Sequence, residues 1–135
     1  MKDRVFLDTN VLVYLFTIDE PVKQQAAIDA ILESQCLTGL NNISEFSNVL
    51  LKKYKIKSKE VIEAIQHLTG FISVVNFDIK SIETAISISQ KYKYSYYDSL
   101  VLAIALENNC SKLYSEDMQH KQLIENKLMI FDIFQ

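Results

Sequence analysis

Short apolar segments alternate with longer segments of helical periodicity along this chain, and no other feature constrains its fold as strongly. The short segments are predicted strands at residues 5–7, 36–39, 72–75, 112–114 and 128–134. The longer segments are predicted helices that begin at Pro21, near Ile43, and at Ser58, Asp78 and Ser95. Strands joined by helices form a mostly parallel sheet that needs cover on both faces. The sequence therefore predicts an α/β fold with a mostly parallel central sheet of four to five strands between helical layers.

The composition fits a single domain over residues 1–135. Apolar residues make up 49% of the chain, and only two glycines and one proline interrupt it. Cys36 and Cys110 stand alone among apolar residues, which favours buried free thiols and a reducing compartment. Asp8 interrupts the N-terminal apolar stretch, and the run at residues 11–16 is too short to cross a membrane. We therefore expect a soluble, cytoplasmic protein with no membrane partner.

Four acidic residues stand at equivalent places in this pattern, each beside a predicted strand end or helix start. Asp8 follows the first strand, and Asp117 follows the strand at residues 112–114. Glu45 and Asp98 lie in the predicted first turns of two helices. The carboxyl ends of parallel strands share one edge of a sheet, where ligands bind in such folds. The four carboxylates can therefore converge at that edge.

Helix capping is the alternative explanation for each of these acids. Residues 42–45 and 95–98 both match the capping box, in which an acidic side chain bonds back to the start of its own helix. Asp8 and Asp117 can likewise cap helices, where the helix dipole favours negative charge. Spacing along the chain does not distinguish four separate caps from one cluster, so both interpretations stay open.

A cluster of carboxylates has a distinct chemical consequence. Carboxylates packed together do not all stay ionised without a compensating cation, and their hard oxygen ligands suit Mg²⁺ or Mn²⁺. Such an ion activates a coordinated water at neutral pH and polarises a phosphoryl oxygen. No histidine or cysteine accompanies the acids in the pattern. The pattern therefore favours phosphodiester hydrolysis over acyl transfer.

Four motifs surround these acids in a fixed order along the chain. They read DTNVLVY at residues 8–14, SEF at 44–46 with VL at 49–50, YDSLVLA at 97–103 and LYSEDMQH at 113–120. Each motif alone is weakly specific, but together they cover nearly the whole chain. In this arrangement the sequence resembles PIN-domain ribonucleases, in the form common among toxins of bacterial type II toxin–antitoxin systems.

The resemblance implies a PIN-like α/β fold and an endoribonuclease that hydrolyses RNA phosphodiesters with Mg²⁺ or Mn²⁺. It also implies a small antitoxin protein as partner and, often, a homodimer. Carried over by motif, Asp8 and Asp98 bind the metal most directly. Glu45 and Asp117 then complete the metal shell or position water.

The same motifs imply supporting roles for three residues close to the acids. Asn10 and Ser115 match polar positions that support the site, and Glu116 is a weaker candidate ligand. A net charge of −3 and a single arginine leave the RNA-contacting surface undefined.

Lysines, tyrosines and one histidine are further candidates for RNA contact. The basic cluster comprises Lys52, Lys53, Lys55, Lys57 and Lys59, of which the first three are predicted to contact RNA phosphates. A solvated helix end explains the same lysines. The tyrosines, at positions 92, 94, 96 and 97, can stack bases or pack in the interior or in a dimer. His120 can touch phosphate or order a loop.

Two other functions fit parts of the pattern. An aspartate-based phosphatase would use a nucleophilic Asp8, but residue 10 is Asn where such enzymes usually place a second acid. A trapped phosphoenzyme would distinguish it. A catalytically inactive PIN-like binding module would keep the fold alone. The presence of all four acids argues against it, and metal titration would decide.

Overall fold

The computed structural model of the protein describes residues 2–135, which form six strands and six helices. The strands are β1 (Arg4–Leu7), β2 (Gln35–Gly39), β3 (Ser73–Val75), β4 (Lys112–Tyr114), β5 (Leu123–Ile124) and β6 (Leu128–Phe131). The helices are α1 (Thr9–Tyr14), α2 (Pro21–Glu33), α3 (Leu40–Lys52), α4 (Ser58–Leu68), α5 (Ile79–Tyr92) and α6 (Tyr96–Glu107). Strands and helices alternate through most of the chain, as predicted.

The strands form one sheet in the order β3-β2-β1-β4-β6-β5, and β5 with β6 is its antiparallel pair. In the parallel part, Val5 of the central strand pairs with Cys36 on one side and with Lys112 on the other. The mostly parallel sheet is confirmed, with six strands where four to five were expected. The strand that the sequence analysis missed is β5, whose two residues are too few to show a periodicity. The last strand is also shorter than predicted, because β6 ends at Phe131.

Two apolar cores lie on opposite faces of the sheet, which confirms the helical layers. Side chains alternate along β1, so Phe6 packs in one core while Val5 and Leu7 pack in the other. The core around Phe6 contains the buried side chains of α5 and α6, and the second core contains those of α1 to α4. Within α6 every residue from 99 to 105 is buried, in agreement with its unbroken apolar sequence.

Four predicted helix starts are confirmed, and one of them is Ser58 at the first position of α4. Pro21 occupies the first position of α2, and the Asp78 carboxylate caps α5 by accepting a hydrogen bond from the Ser81 backbone N–H. At the start of α6, the Ser95 hydroxyl accepts one from the Asp98 backbone N–H. The sequence analysis did not predict α1, because its six residues are too few for an apolar period to be recognised.

The two cysteines are buried free thiols, as predicted. Burial raises the pKa of the Cys36 thiol and that of the Cys110 thiol to about 11, so both are protonated at neutral pH and behave as small apolar side chains. Among residues 2–135, no helix combines the length and the apolar character needed to cross a membrane.

Candidate active site

Asp8 lies directly after the central strand β1, where it caps α1. One carboxylate oxygen accepts hydrogen bonds from the Thr9 backbone N–H at 2.8 Å and from the Asn42 side-chain amide at 3.4 Å. The other oxygen accepts from the Ser115 hydroxyl at 2.8 Å. Asp8 is only 6% exposed. Helix capping and membership of a cluster therefore both apply to Asp8, because this residue caps α1 and is also the buried centre of a polar cluster.

Burial raises the pKa of Asp8 from 3.8 to about 6, even though hydrogen bonds from Ser115 and Thr9 oppose the shift. The charges of Asp98 and Asp117 raise this pKa further. A carboxyl group buried among other carboxylates is costly to ionise, and a bound cation is the usual compensation. Burial is the main cause of the raised pKa, and the smaller effects of Asp98 and Asp117 place these two acids near Asp8 at this edge of the sheet.

Asn42 is a buried member of the cluster that the sequence analysis assigned to a capping box. Because α3 begins at Leu40, Asn42 lies in its first turn and is 3% exposed. Its amide donates to the Thr9 hydroxyl at 3.0 Å, and its oxygen accepts from the Gly39 backbone N–H at 3.3 Å. The predicted cap at residues 42–45 is therefore wrong, since Gly39 is the capping position.

Gly39 gives the one sequence signal that could have identified Asn42. A Cβ atom at this position would collide with the Asn41 side-chain oxygen and would lie 2.8 Å from that of Asn42, closer than real Cβ contacts come. A glycine between a predicted strand and a predicted helix therefore marks a place where an amide approaches the backbone closely.

We expect Asn42→Ala to lower the free energy of unfolding by about 1–3 kcal/mol, because it leaves buried hydrogen-bonding partners unsatisfied. Urea denaturation measures the change. Asn48→Ala, at an exposed position of the same helix, is the control and should shift the value by less than about 0.5 kcal/mol. Equal losses in the two variants would mean that the Asn42 contacts add nothing specific to stability.

Two contacts hold Asp117 beside this centre. The Asn10 amide donates to an Asp117 carboxylate oxygen at 3.0 Å, and the Asp117 backbone N–H donates to the Ser115 hydroxyl oxygen at 3.2 Å. Ser115 thus connects Asp8 with Asp117. The chain continues from Asp117 as a loop into β5, so the helix cap that was the alternative explanation for this residue is wrong.

Glu116 has a different environment from the four acids. Its carboxylate forms an ion pair with the Lys23 ammonium at 2.6 Å and accepts from the Tyr14 hydroxyl at 2.7 Å. Burial alone would raise the pKa of Glu116, but these hydrogen bonds outweigh it and lower the pKa. Its backbone N–H donates to the Asn10 side-chain oxygen at 3.2 Å. Glu116 therefore contacts the site through its backbone, and its side chain is already neutralised by Lys23.

Asp98 and Glu45 are the other two of the four predicted acids. Asp98 lies in the first turn of α6 as predicted, whereas Glu45 lies in the second turn of α3, because that helix begins earlier than predicted. Burial raises the pKa of Asp98, and the charges of Asp117 and Glu45 add to the increase. Asp8, Glu45 and Asp98 line one cavity, and Glu45 and Asp117 line a second. The structure thus brings all four predicted acids to one edge of the sheet.

Comparison with known proteins identifies the family of this chain. A family model described as PIN domain matches residues 5–125. The chain belongs to the PIN domain family. The match spans nearly all of the residues that carry the four acidic motifs, which confirms the family resemblance of the sequence. No curated protein matches the chain.

Solved structures share the PIN fold of this chain over almost its whole length. One is a toxin–antitoxin complex from Klebsiella pneumoniae, with a TM-score of 0.71 and 20% identity over 96% of this chain and 97% of that one. A sarcin–ricin loop cleaving toxin from Mycobacterium tuberculosis has a TM-score of 0.68 and 15% identity over 84% and 91%. A VapBC2 complex from Rickettsia felis, bound to a promoter DNA fragment, has a TM-score of 0.69 and 15% identity over 96% and 99%.

Two cavities share Glu45 in this PIN domain. The larger one, here called the amide pocket, has a volume of about 450 Å³ and is lined by three of the acids together with, among others, Asn41, Asn42, Ser44, Asn48, Phe77 and Tyr97. The smaller one, here called the lysine groove, has a volume of about 250 Å³ and is lined by Asn10, Glu45, Lys53, Tyr54 and Asp117, among others. The acids therefore lie between two recesses of different chemistry.

The donor set of the site suits a hard divalent cation, because the four acids offer carboxylate oxygens. Within residues 2–135, no three Asp, Glu, His or Cys side chains are close enough to form a complete metal cage. Such a cage is not required, since Mg²⁺ is usually held by one or two carboxylates and several waters. The buried Asp8, whose pKa is raised beside Asp98, fits this mode of binding.

The lysines differ in their relation to the site. Lys53 is the one of the three predicted RNA-binding lysines that lines the lysine groove, next to Asp117 and Glu45. Lys52 and Lys55 are exposed at the same end of α3 but are not part of that lining. The prediction of phosphate contact is therefore strongest for Lys53.

The tyrosines also separate into two groups. The Tyr94 hydroxyl donates to the Gln122 side chain, as expected of a packing residue. Tyr97 is 76% exposed and lines the amide pocket. His120 orders a loop, the second of the two roles predicted for it, because its Nδ1 atom accepts a hydrogen bond from the Asp132 backbone N–H at 2.9 Å.

Proposed function

We propose that this protein is an endoribonuclease that depends on Mg²⁺ or Mn²⁺ and acts as the toxin of a toxin–antitoxin pair. The observation that carries the proposal is the buried Asp8 carboxyl group, with a pKa of about 6, in one cluster with Asp98 and Asp117. Ionising such a cluster calls for a cation. Membership of the PIN family and likeness in fold to a sarcin–ricin loop cleaving toxin support RNA as the substrate.

Asp8 and Asp98 would hold the ion, and Glu45 and Asp117 would complete its shell or position water. The ion would supply a water activated at neutral pH and a Lewis acid for the phosphoryl oxygen. The opposite sides of the scissile phosphodiester would then extend into the amide pocket and the lysine groove.

The chain's own polar residues keep these carboxylates in place. Ser115 and Asn42 orient the Asp8 carboxylate, and Asn10 orients that of Asp117. Partners of this kind affect metal affinity and activity by roughly 10- to 100-fold in other metal sites. The supporting roles predicted for Asn10 and Ser115 therefore have a physical basis in these contacts, and Asn42 joins them.

A small antitoxin protein is the proposed partner, since solved structures of similar fold include toxin–antitoxin complexes. A basic side chain of the partner can pair with the acids and compete with the metal. A homodimer and a cytoplasmic place of action remain predictions. We expect expression of the protein alone to arrest growth and co-expression of its antitoxin to restore it. Harmless overexpression of protein that cleaves RNA in vitro would contradict the toxin role but not the nuclease.

The proposed activity is tested by incubating RNA with the purified protein, with and without Mg²⁺ or Mn²⁺, and mapping the products to single nucleotides. We expect defined cuts with either ion and none in EDTA, and slower cleavage of single-stranded DNA of the same sequence. Cleavage that persists in EDTA would contradict metal dependence. Intact RNA under every condition would contradict the nuclease itself.

Mg²⁺ or Mn²⁺ should raise the thermal stability of the protein, because a ligand that binds only the folded state stabilises it by mass action. The expected gain is about 2.7 kcal/mol at a hundredfold excess over the dissociation constant. Differential scanning calorimetry with and without the ion measures it. Asp98→Asn should lose most of the gain, and an equal gain in this variant would locate the ion elsewhere.

Lys53→Gln should weaken RNA binding and flatten its dependence on salt, by roughly 0.7 in the log–log slope for one lost phosphate contact on single strands. Fluorescence anisotropy in EDTA, repeated over a range of salt concentrations, measures both quantities. Lys127→Gln removes an equal charge from a turn between β5 and β6 and is the matched control. Identical slopes for the two variants would exclude a specific contact by Lys53.

A further inference from the structure

The amide pocket carries a row of polar side chains that the proposed hydrolysis does not use. Asn41, Ser44 and Asn48 are spaced three and four residues apart on α3, so they share one face of the helix with Glu45. Ser44 and Asn48 are exposed. The side-chain oxygen of Asn41 is buried against Gly39 and has no hydrogen-bond partner among the described residues, so Ser44 and Asn48 are the accessible polar groups of this row. The pocket therefore offers hydrogen-bonding groups directly beside the acids.

Aromatic side chains form another part of the same pocket. Tyr97 directly precedes Asp98, is 76% exposed and packs edge-on against Tyr96 at a ring-centroid distance of 5.1 Å. Phe77 is partly buried and lines the same cavity. The exposed ring face of Tyr97 suits the stacking of a base.

The charge of the two cavities assigns different parts of a nucleotide to them. The lining of the amide pocket, drawn from residues 2–135, contains no lysine or arginine, whereas Lys53 lines the lysine groove. Phosphates bind at cationic groups, which favours the lysine groove for the RNA backbone. Asparagine amides instead pair with the donors and acceptors on base edges. At about 450 Å³, the amide pocket also falls within the roughly 300–1,000 Å³ of typical ligand pockets.

We propose that the amide pocket binds one nucleobase of the RNA next to the cleaved phosphodiester. Tyr97 stacks on this base, and the Asn48 amide contacts its edge. The assignment rests on the proposed ribonuclease function and names the part of the substrate that the site reads. It also accounts for RNA binding by a chain with a net charge of −3, because stacking and amide contacts supply affinity without positive charge.

The test compares cleavage of a single-stranded RNA with cleavage of the same RNA made abasic next to the mapped cut, on either side in turn. Tyr97→Leu should lower kcat/KM on the intact RNA by roughly 5- to 150-fold, the equivalent of one lost stacking contact. Tyr97→Phe keeps the ring and should lose much less activity than Tyr97→Leu. Phe71→Leu removes a comparably exposed aromatic residue, 65% exposed and outside this pocket, and should retain the wild-type rate.

The abasic RNA separates base binding from other effects of the substitution. If Tyr97 stacks on the base, wild-type protein and Tyr97→Leu should cleave one of the two abasic RNAs at the same reduced rate. In parallel, Asn48→Ala should narrow the rate differences among RNAs that carry each of the four bases at that position. An unchanged rate for Tyr97→Leu on intact RNA, or an equal loss on intact and abasic RNA, would overturn the proposal and leave Tyr97 as a protein contact.

Absence of ribonuclease activity can be distinguished from absence of base binding in the amide pocket. If the wild-type protein cleaves no RNA, anisotropy in EDTA compares its binding to a single-stranded RNA with its binding to a fully abasic strand of the same length. Weaker binding of the abasic strand by wild-type protein, with a smaller difference in Tyr97→Leu, would support a base pocket without nuclease activity. Equal binding of all RNAs by both proteins would refute the pocket.

Discussion

Asp8→Asn should abolish RNA cleavage, with a rate more than about 100-fold below that of the wild type. Losing a residue that only hydrogen-bonds a metal ligand lowers metal affinity or activity roughly 10- to 100-fold. Asp8 is proposed as a ligand itself, so its loss should have a larger effect. Asparagine has nearly the shape of aspartate and keeps an oxygen that can accept from Thr9 and Asn42. The loss should therefore come from the missing charge rather than from unfolding. Single-turnover cleavage at saturating Mg²⁺ measures it.

A matched substitution controls for nonspecific effects on the enzyme. Asp19→Asn makes the same chemical change at an exposed position between α1 and α2 and should cleave at the wild-type rate. Asp98→Asn should resemble Asp8→Asn, since both are proposed to hold the ion. Wild-type turnover by Asp8→Asn and Asp98→Asn would refute the site assignment, and the circular dichroism of both variants would show that they are folded.

In metal-free solution, Asp8→Asn should also make the protein more stable at neutral pH, by about 3 kcal/mol. Because burial raises the pKa of Asp8 from 3.8 to about 6, the folded state binds this proton more tightly than the unfolded state. A difference of about two pH units corresponds to about 3 kcal/mol. The free energy of unfolding of the wild type should therefore fall as pH rises from about 4 to 6. The asparagine variant lacks this titrating group and should not show that decrease.

Urea unfolding in EDTA across pH 3.5 to 8 measures the difference between the two proteins. It should be smallest at pH 3.5, where Asp8 is protonated in the folded state and mostly protonated in the unfolded state, and should approach its full value well above pH 6. Saturating Mn²⁺ at pH 7 should reverse its sign, because only the wild type gains the binding energy. A variant that is less stable than the wild type at pH 7 in EDTA would mean that the hydrogen bonds to Asp8 outweigh its burial.

The sequence was sufficient for those features that depend on local pattern. The alternation of apolar segments with helical periods predicted a mostly parallel sheet between two helical layers, because the period of side-chain burial differs between strands and helices. The caps at Asp78 and Ser95 were also predictable, since they satisfy backbone groups within one turn, as was the proline at the first position of α2. The four acidic motifs in order indicated the PIN family before any distance was known.

Features that depend on a few residues escaped the sequence analysis. The helix α1 and the strand β5 are too short to carry a period, and their form depends on the elements they pack against. The start of α3 was placed too late, which put Glu45 in the wrong turn and hid Asn42 in a supposed cap. That helix starts at Leu40 because Gly39 leaves space for the Asn42 amide to bond the backbone, a three-dimensional fit that helix propensity does not describe.

Only the tertiary structure decided whether the four acids lie near one another. The hydrogen bonds that hold Asp8 and Asp117 connect residues more than 30 positions apart, from Asp8 to Asn42 and Ser115 and from Asn10 to Asp117. Such contacts arise because β1 lies between β2 and β4, so that their carboxyl ends meet at one edge. The same fold pairs the Glu116 carboxylate with the Lys23 ammonium and places Tyr97, exposed, at the amide pocket. The sequence determined which residues can bind a metal or a base, and the packing of the sheet determined which of them lie together, because the distance between residues far apart in the chain depends on the whole fold.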